Sequence, residues 1–317
     1  MMSLREILQL QKAIILDGAL ATELEARGAR LDDSLWSAKI LLEQPEMIRR
    51  LHLDYFLAGA DVAITASYQA SMEGYQGRGL SHRQARALIR RSVELAKEAR
   101  ELFWADPGNR AGRIYPLVAA SVGPYGAYLA DGSEYRGQYG LSVQELAGWH
   151  RPRMEALLEA GPDLLACETI PCPEEAEALL LLLEEFPEAR AWVSFSCQDG
   201  RRISQGERFK DVVKMVEGVP QVLAVGVNCT PPRYIHSLLK EARRVSSKPL
   251  VAYPNSGERW DAARHCWVEG EQAGGFGALP LEWFAEGARL IGGCCRTGVE
   301  DVRALREVVR DTIRQGG

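Results

Sequence analysis

The sequence has no apolar run long enough to cross a membrane, since its most apolar stretch is residues 179–183. A membrane-spanning helix needs about 20 consecutive apolar residues. The opening residues, MMSLREILQLQK, also lack the apolar segment of a secretory signal. We therefore expect a cytoplasmic protein without a membrane partner.

Positive charge and cysteine are also scarce. The 38 Lys and Arg residues are outnumbered by 43 Asp and Glu residues, which gives a net charge of -5. Binding nucleic acid needs basic side chains concentrated on one face, and no such stretch occurs, so we expect no nucleic-acid partner. The cysteines number seven, an odd count that fits poorly with a disulfide framework. In a reducing compartment we expect them to stay as thiols or to bind metal.

The sequence is otherwise of ordinary globular composition, and apolar residues make up 46% of its 317 residues. Short β-branched, apolar runs of the kind found in buried parallel strands recur along it. These predicted strands cover residues 14–17, 62–66, 117–121, 164–168, 192–196, 223–228, 250–253 and 290–293. Longer segments with helical spacing separate them, and residues 84–100 and 173–186 are the clearest.

Strand and helix alternate over the whole chain, which indicates βαβ units and an α/β fold. We predict that residues 1–317 form a single (β/α)8 TIM barrel domain, a fold that typically takes about 250 residues. A doubly wound open sheet is the alternative, but no G-x-G-x-x-G follows the first strand to favour it.

Polar or sulfur-bearing side chains end nearly every predicted strand. Because the active sites of such barrels lie at the carboxyl ends of the strands, we expect these side chains to face one mouth. The residues in question are Asp17, Thr65, Ser121, Glu168, Ser196, Asn228, Cys229, Tyr253, Asn255, Cys294 and Cys295.

Three of these residues form a candidate metal site. Cys229 ends one predicted strand, and Cys294 and Cys295 end another about 65 residues later. Three thiolates are a soft ligand set that suits zinc, and three protein ligands rather than four are typical of a catalytic site with an open position. Gly292 and Gly293 precede the adjacent pair and allow the backbone to approach closely.

Simpler interpretations exist for the other candidates. A single buried cysteine is usually a small apolar residue. We expect that role for Cys167, Cys172, Cys197 and Cys266. A redox pair at Cys294 and Cys295 is disfavoured because adjacent cysteines form strained disulfides. His236 and His265 do not end a predicted strand, so solvated or helix-capping roles are expected for them.

Several motifs in this order resemble those of the zinc-dependent homocysteine S-methyltransferases. That family includes betaine-homocysteine methyltransferase and the homocysteine-binding module of cobalamin-dependent methionine synthase. The matching motifs are LDGA at 16–19, TEL at 22–24, ITASYQ at 64–69, SVGP at 121–124, CET at 167–169, GVNC at 226–229, YPNSGE at 253–258 and GGCCR at 292–296. The segments GPYGAY at 123–128 and DGSEYRG at 131–137 look most like the branch that uses S-methylmethionine or S-adenosylmethionine.

The resemblance implies a (β/α)8 barrel that transfers a methyl group from such a sulfonium donor to homocysteine, giving methionine. It implies zinc on Cys229, Cys294 and Cys295, with the homocysteine sulfur as the fourth ligand. Asp17, Thr65 and Glu168 match positions at the family's homocysteine site, and Trp36 matches one near the donor. We therefore expect Asp17 and Glu168 to serve catalysis. Asn228 is a third expected catalytic residue, because its place beside Cys229 would let it orient the sulfur or support the metal ligand by a hydrogen bond. Trp36, Thr65 and Ser121 are the expected substrate-binding residues.

Other functions remain open at this point. Betaine is a possible donor, and a non-catalytic zinc-thiolate buffer or sensor is an alternative of another class. Asp17 and Glu168 also resemble the paired carboxylates of a glycosidase, but that interpretation leaves the three cysteines unexplained. A folate donor acting through cobalamin is disfavoured because the sequence ends soon after the eighth predicted strand. The sequence does not indicate an oligomeric state.

Overall fold

The computed structural model describes residues 4–29, 37–257, 259–261, 266–268 and 276–315. Its strands, in chain order, are β1 Ile14–Ile15, β2 Val62–Ile64, β3 Leu117–Val122, β4 Leu164–Ile170, β5 Ala191–Phe195, β6 Val222–Asn228, β7 Leu250–Tyr253, β8 Arg259–Asp261, β9 Cys266–Val268 and β10 Ala288–Ile291.

Eight of these strands form one parallel sheet in the order β1-β10-β7-β6-β5-β4-β3-β2. An isolated parallel bridge between Leu16 and Val62 brings the two ends of this sheet together. The backbone N–H of Asp61 also donates to the carbonyl of Ile15 at 2.7 Å. The sheet therefore curls into a nearly closed barrel, as predicted.

The described helices surround this barrel. They are α1 Leu4–Gln11, α2 Leu20–Ala26, α3 Ser37–Glu43, α4 Pro45–Ala58, α5 Met72–Gln76, α6 His82–Ala105, α7 Tyr125–Leu129, α8 Val143–Glu159, α9 Pro173–Glu185, α10 Phe209–Glu217, α11 Pro232–Arg243, α12 Leu279–Ala285 and α13 Val299–Gln315. Two short 3-10 turns cover Pro107–Arg110 and Ser133–Tyr135. None of the helices within these described residues is long and apolar enough to cross a membrane.

The barrel interior is filled by alternate residues of the strands. In β3, Leu117 and Ala119 belong to a cluster with residues from all eight barrel strands, whereas Val118 and Ala120 pack in the larger cluster beneath the helices. The next inward position of β3 is the buried Ser121. Because side chains alternate along a strand, apolar residues fill the lower barrel and polar ones follow towards the carboxyl ends.

The predicted strands match the observed barrel strands to within about three residues at each end, because their apolar runs are buried on both faces. The β8–β9 hairpin was not predicted, and it pairs antiparallel outside the barrel sheet. Both predicted helices are present: α6 extends beyond residues 84–100 at both ends, and α9 spans most of residues 173–186. Ser81 caps α6 with the reciprocal bonds of a capping box.

One buried histidine on α4 provides a test of the packing. His52 is fully buried, and within the described residues neither ring nitrogen has a hydrogen-bond partner. Burial lowers its pKa from 6.5 to about 4. The unfolded chain therefore takes up a proton near pH 6.5, well before the folded chain does. Stability is complete above that pH and falls as the pH drops towards 4, by up to about 3 kcal/mol.

We expect His52→Leu to remove this acid-dependent loss. Urea unfolding of the metal-free protein between pH 7 and 4.5 measures it, with the wild type as reference. The free energy of unfolding should fall less steeply with decreasing pH in the variant. Equal slopes for the two proteins would contradict the assignment.

Candidate metal centre at the barrel mouth

The three predicted metal-binding sulfurs lie together at the carboxyl ends of the strands. The Sγ atom of Cys229 is 2.9 Å from that of Cys294 and 3.5 Å from that of Cys295. All three sulfurs lie within 4.8 Å of one another. Tetrahedral sulfur ligands of one zinc ion, each about 2.3 Å from the metal, are about 3.8 Å apart. Small side-chain adjustments therefore suffice for the trio to hold one ion.

Strand β7 brings the two cysteine segments together, because it lies between β6 and β10 in the sheet. The N–H of Cys229 donates to the Tyr253 carbonyl at 3.3 Å, and the N–H of Cys294 donates to the Pro254 carbonyl at 2.7 Å. The Cys295 carbonyl in turn accepts from the N–H of Ser256 at 3.0 Å. The end of β7 thus holds both cysteine segments through backbone hydrogen bonds.

The backbone around the cysteines is tightly packed and locally strained. A Cβ atom on Gly293 would lie 2.2 Å from Oγ1 of Thr297, so a larger residue does not fit there. Thr297 Oγ1 also donates to the Cys294 carbonyl at 2.6 Å, which closes the turn. Cys229 has a φ of 48°, in the left-handed region that non-glycine residues seldom adopt. Such strain is common at functional sites and needs support from neighbouring structure.

The thiols of Cys294 and Cys295 have pKa values shifted in opposite directions. Hydrogen bonds from Cys229 and Cys294 hold the pKa of Cys295 well below its ordinary value. Hydrogen bonds to Cys229 and Cys295, together with burial, hold the pKa of Cys294 well above it. The thiolate is the form that binds metal. A divalent cation held by the three sulfurs would favour the thiolate form of each.

Two buried carboxyl groups lie at the same mouth. Asp17 Oδ2 accepts from the N–H of Ile64 at 2.8 Å, and Glu168 Oε2 accepts from the hydroxyl of Tyr253 at 3.0 Å. Burial raises the pKa of Asp17 well above its usual value, and the nearby charge of Glu168 adds to this. Burial also raises the pKa of Glu168 to about 7, despite hydrogen bonds from Ser121 and Tyr253. A bound cation would stabilise the ionised forms of both.

The structure links three predicted site residues in one hydrogen-bonded chain. Thr65 Oγ1 accepts from the N–H of Ser121 at 3.0 Å and lies 2.7 Å from Oγ of Ser67. The Ser121 hydroxyl then donates to Oε1 of Glu168. Ser121 is fully buried, so its contact runs to Glu168 rather than to the solvent-facing mouth.

Asn228 holds the turn that follows Glu168. Its Oδ1 accepts from the N–H of Thr169 at 2.8 Å and from the Ser194 hydroxyl at 2.9 Å, and its Nδ2 donates to Oγ1 of Thr169 at 2.7 Å. Thr169 has a φ of 63°, which is strained for a β-branched residue. The fully buried Asn228 amide therefore braces this strained turn.

Two residues of the mouth were not predicted. The hydroxyl of Tyr135 lies 3.5 Å from Sγ of Cys229. Its neighbour Glu134 has a carboxyl oxygen, Oε2, that is buried without a hydrogen-bond partner in the described part of the chain. Burial raises the pKa of Glu134 to about 7, and the charge of Cys229 contributes. Both residues follow β3 in a loop at the mouth. They do not end a strand, but they lie in the segment 131–137 whose resemblance to the sulfonium-using branch was the sequence signal for them.

The remaining predictions fall in three groups. Cys167, Cys172 and Cys197 are buried free thiols, as expected. His236 lies exposed on α11, with Nε2 3.6 Å from a Glu286 oxygen. Trp36, His265 and the side chain of Cys266 lie outside the described residues.

Comparison with known proteins shows which family this chain belongs to. Residues 14–309 match the homocysteine S-methyltransferase family. A homocysteine S-methyltransferase of Bacillus subtilis is 54% identical over 95% of this chain and 96% of its own length. One of Escherichia coli is 54% identical over 96% of this chain and 97% of its own length. This chain belongs to the homocysteine S-methyltransferase family.

Solved structures of a family member are also similar. The metallated form of the Escherichia coli homocysteine methyltransferase MmuM superposes with a TM-score of 0.86 and 52% identity, covering 96% of this chain and 99% of that one. Its oxidized form gives the same TM-score and identity, and covers 98% of that chain. The homocysteine S-methyltransferase fold predicted from the sequence motifs is therefore confirmed.

Removing one sulfur tests the candidate metal centre. We expect the wild type to retain added zinc through dialysis and Cys295→Ala to lose most of it, because two sulfurs bind far more weakly than three. Elemental analysis measures the metal content, and circular dichroism checks the fold. Cys197→Ala, which removes a buried thiol elsewhere, should keep its zinc. Full zinc retention by Cys295→Ala would contradict a three-sulfur site.

Proposed function

We propose that this chain, with residues 1–317 acting as one homocysteine-binding domain, transfers a methyl group from a sulfonium donor to homocysteine. The donor is S-methylmethionine or S-adenosylmethionine, and the product is methionine. The convergence of Cys229, Cys294 and Cys295 carries the proposal, because three thiolates are the ligand set of a catalytic zinc site. Membership of the family gives the acceptor, homocysteine.

The residues present fit zinc, since three half-buried or buried sulfurs converge within 4.8 Å of one another. When bound there, zinc would lower the pKa of the homocysteine thiol and hold its sulfur as the ligand that completes the set. Only the thiolate form of homocysteine is a good nucleophile.

Asp17 and Glu168 would bind the ammonium group of homocysteine. Both carboxyl groups are buried, and their charges interact unfavourably with each other in the absence of a cation. Ser121 and Tyr253 keep the Glu168 carboxyl in place through its two oxygens. Thr65 supports Ser121, and Asn228 holds the adjacent turn, so we assign these two residues positioning roles.

The reaction itself requires little from the protein beyond placement. A lone pair on the homocysteine sulfur forms the new bond to the methyl carbon. The bond from that carbon to the donor sulfur breaks, and its electron pair stays on the donor sulfur. An anion and a cation become two neutral thioethers, so charge disappears along the path. A site that excludes water and aligns the two sulfurs therefore favours the transfer.

A donor screen tests this function directly. Zinc-loaded protein is incubated with homocysteine and, in turn, S-methylmethionine, S-adenosylmethionine or betaine, and methionine is quantified. We expect methionine with a sulfonium donor and little with betaine. An inert protein that nevertheless binds zinc tightly would favour a zinc-thiolate buffer, and activity with betaine alone would reassign the donor.

The role of Glu168 gives a second test. Glu168→Gln keeps the side-chain shape but removes the charge, so we expect the KM for homocysteine to rise by about 10- to 100-fold. Zinc content should stay unchanged. Glu174→Gln, an exposed carboxylate at the start of α9, serves as the matched control. Loss of zinc with an unaltered KM for homocysteine would contradict this role.

A further inference from the structure

Glu134 is a carboxylate at the mouth that the proposed reaction leaves unassigned. It lies in the 3-10 turn Ser133–Tyr135, next to the tyrosine whose hydroxyl approaches Cys229. Its charge interacts with those of Cys229 and Cys295 and with the hydroxyl of Tyr68. Glu134 is therefore adjacent in the chain to a residue that contacts the sulfur cluster.

The turn that carries Glu134 is held firmly in place. The hydroxyl of Ser196 donates to the Glu134 carbonyl at 3.1 Å. Asp131 Oδ1 accepts from the N–H of Ser133 at 2.9 Å, at the start of the turn. On the other side, a Cβ atom on Gly126 would lie 2.4 Å from the backbone nitrogen of Glu134, so helix α7 packs directly against the turn. The carboxyl group is thus presented on a fixed backbone.

Within the described residues Glu134 forms no ion pair, although the nearby charge of Arg136 acts to lower the pKa of its carboxyl group. Arg136, the nearest cation along the chain, directs its guanidinium to Asp131 at 3.7 Å and to the Ser133 hydroxyl at 3.3 Å. Over the described ranges, Oε2 of Glu134 finds no donor although it is buried. Leaving a buried acceptor without a donor costs about 1–3 kcal/mol, and more for a charged group. Such an oxygen is suited to an N–H group that arrives with a ligand.

The candidate donors differ in whether they bring such a group. S-methylmethionine and S-adenosylmethionine each carry a primary ammonium with three N–H bonds. Betaine has a quaternary nitrogen without any N–H bond. A buried carboxylate oxygen gains a charge-assisted hydrogen bond from the first two compounds only.

The other two carboxyl groups are already assigned. Asp17 and Glu168 interact with each other and are linked to β2, β3 and β7, whereas Glu134 belongs to the loop after β3. Cys229 interacts with both Glu168 and Glu134. A second amino-acid substrate at the cluster would need a carboxylate other than Asp17 and Glu168, and Glu134 lies in the turn next to Tyr135.

We infer that the Glu134 carboxylate binds the α-ammonium of the methyl donor and so selects amino-acid sulfonium compounds over betaine. The inference rests on the proposed methyl transfer and names the group that recognises its donor. Glu134 acts on the donor's binding and orientation, while the sulfur-to-sulfur transfer proceeds as described above.

The test compares two donors in the zinc-loaded wild type and in Glu134→Gln. One donor is S-methylmethionine, and the other is the same sulfonium without its amino group, 4-(dimethylsulfonio)butanoate. We expect the variant to lower kcat/KM for S-methylmethionine by about 10- to 100-fold, the effect of losing a charged hydrogen bond. The amino-free donor should change by less than about threefold, and the KM for homocysteine should stay the same. Glu174→Gln serves again as the exposed carboxylate control.

Each result decides the inference. An equal loss for both donors, no loss, or a rise in the KM for homocysteine would overturn it while leaving the proposed function intact. A wild type that makes no methionine from any donor would instead overturn the proposed function, and this inference with it. If the variant fails to fold, the wild type alone decides: it should use S-methylmethionine at least about tenfold more efficiently than the amino-free donor, and equal use would overturn the inference.

Discussion

The site depends on the backbone at the end of β7, where two cysteine segments distant along the chain meet. Cys229 and Cys294 each donate a backbone hydrogen bond to this strand end, to the carbonyls of Tyr253 and Pro254. Parallel strand order alone makes this possible, because β7 separates β6 from β10. The hydroxyl of Tyr253, at the same strand end, also donates a hydrogen bond to the Glu168 carboxyl group. One strand end therefore positions both the proposed metal ligands and a carboxylate.

This arrangement concentrates negative charge in a buried place. Asp17 and Glu168 have raised pKa values because burial disfavours their ionised forms. Glu134 is affected in the same way. In a folded protein such groups are costly unless cations arrive to pair with them. A divalent metal and two substrates with ammonium groups would supply those cations. The free-energy cost of burying the carboxylates would then be offset on binding, which favours cationic ligands.

Much of this was predictable from the sequence. The barrel followed from apolar runs that alternate with helical segments, and the polar residues that end those runs marked Asp17, Glu168 and Cys229 correctly as neighbours at one mouth. This prediction succeeded because every second residue of a strand points to the same face, so the inward-facing residues can be followed to the end of the strand.

The contacts made by loops were not predictable in the same way. Tyr135 and Glu134 reach the site from a turn that is held by Ser196, 62 residues from Glu134, and by the close approach of Gly126. The bracing of Thr169 by Asn228 is likewise a pairing across 59 residues. No local pattern encodes such pairings, because they arise only when the barrel closes.

X-ray absorption at the zinc edge of the reconstituted protein measures the central claim most directly. Three sulfur neighbours at about 2.3 Å should become four when homocysteine is added; fewer than three sulfurs, or an unchanged count with homocysteine bound, would contradict the account.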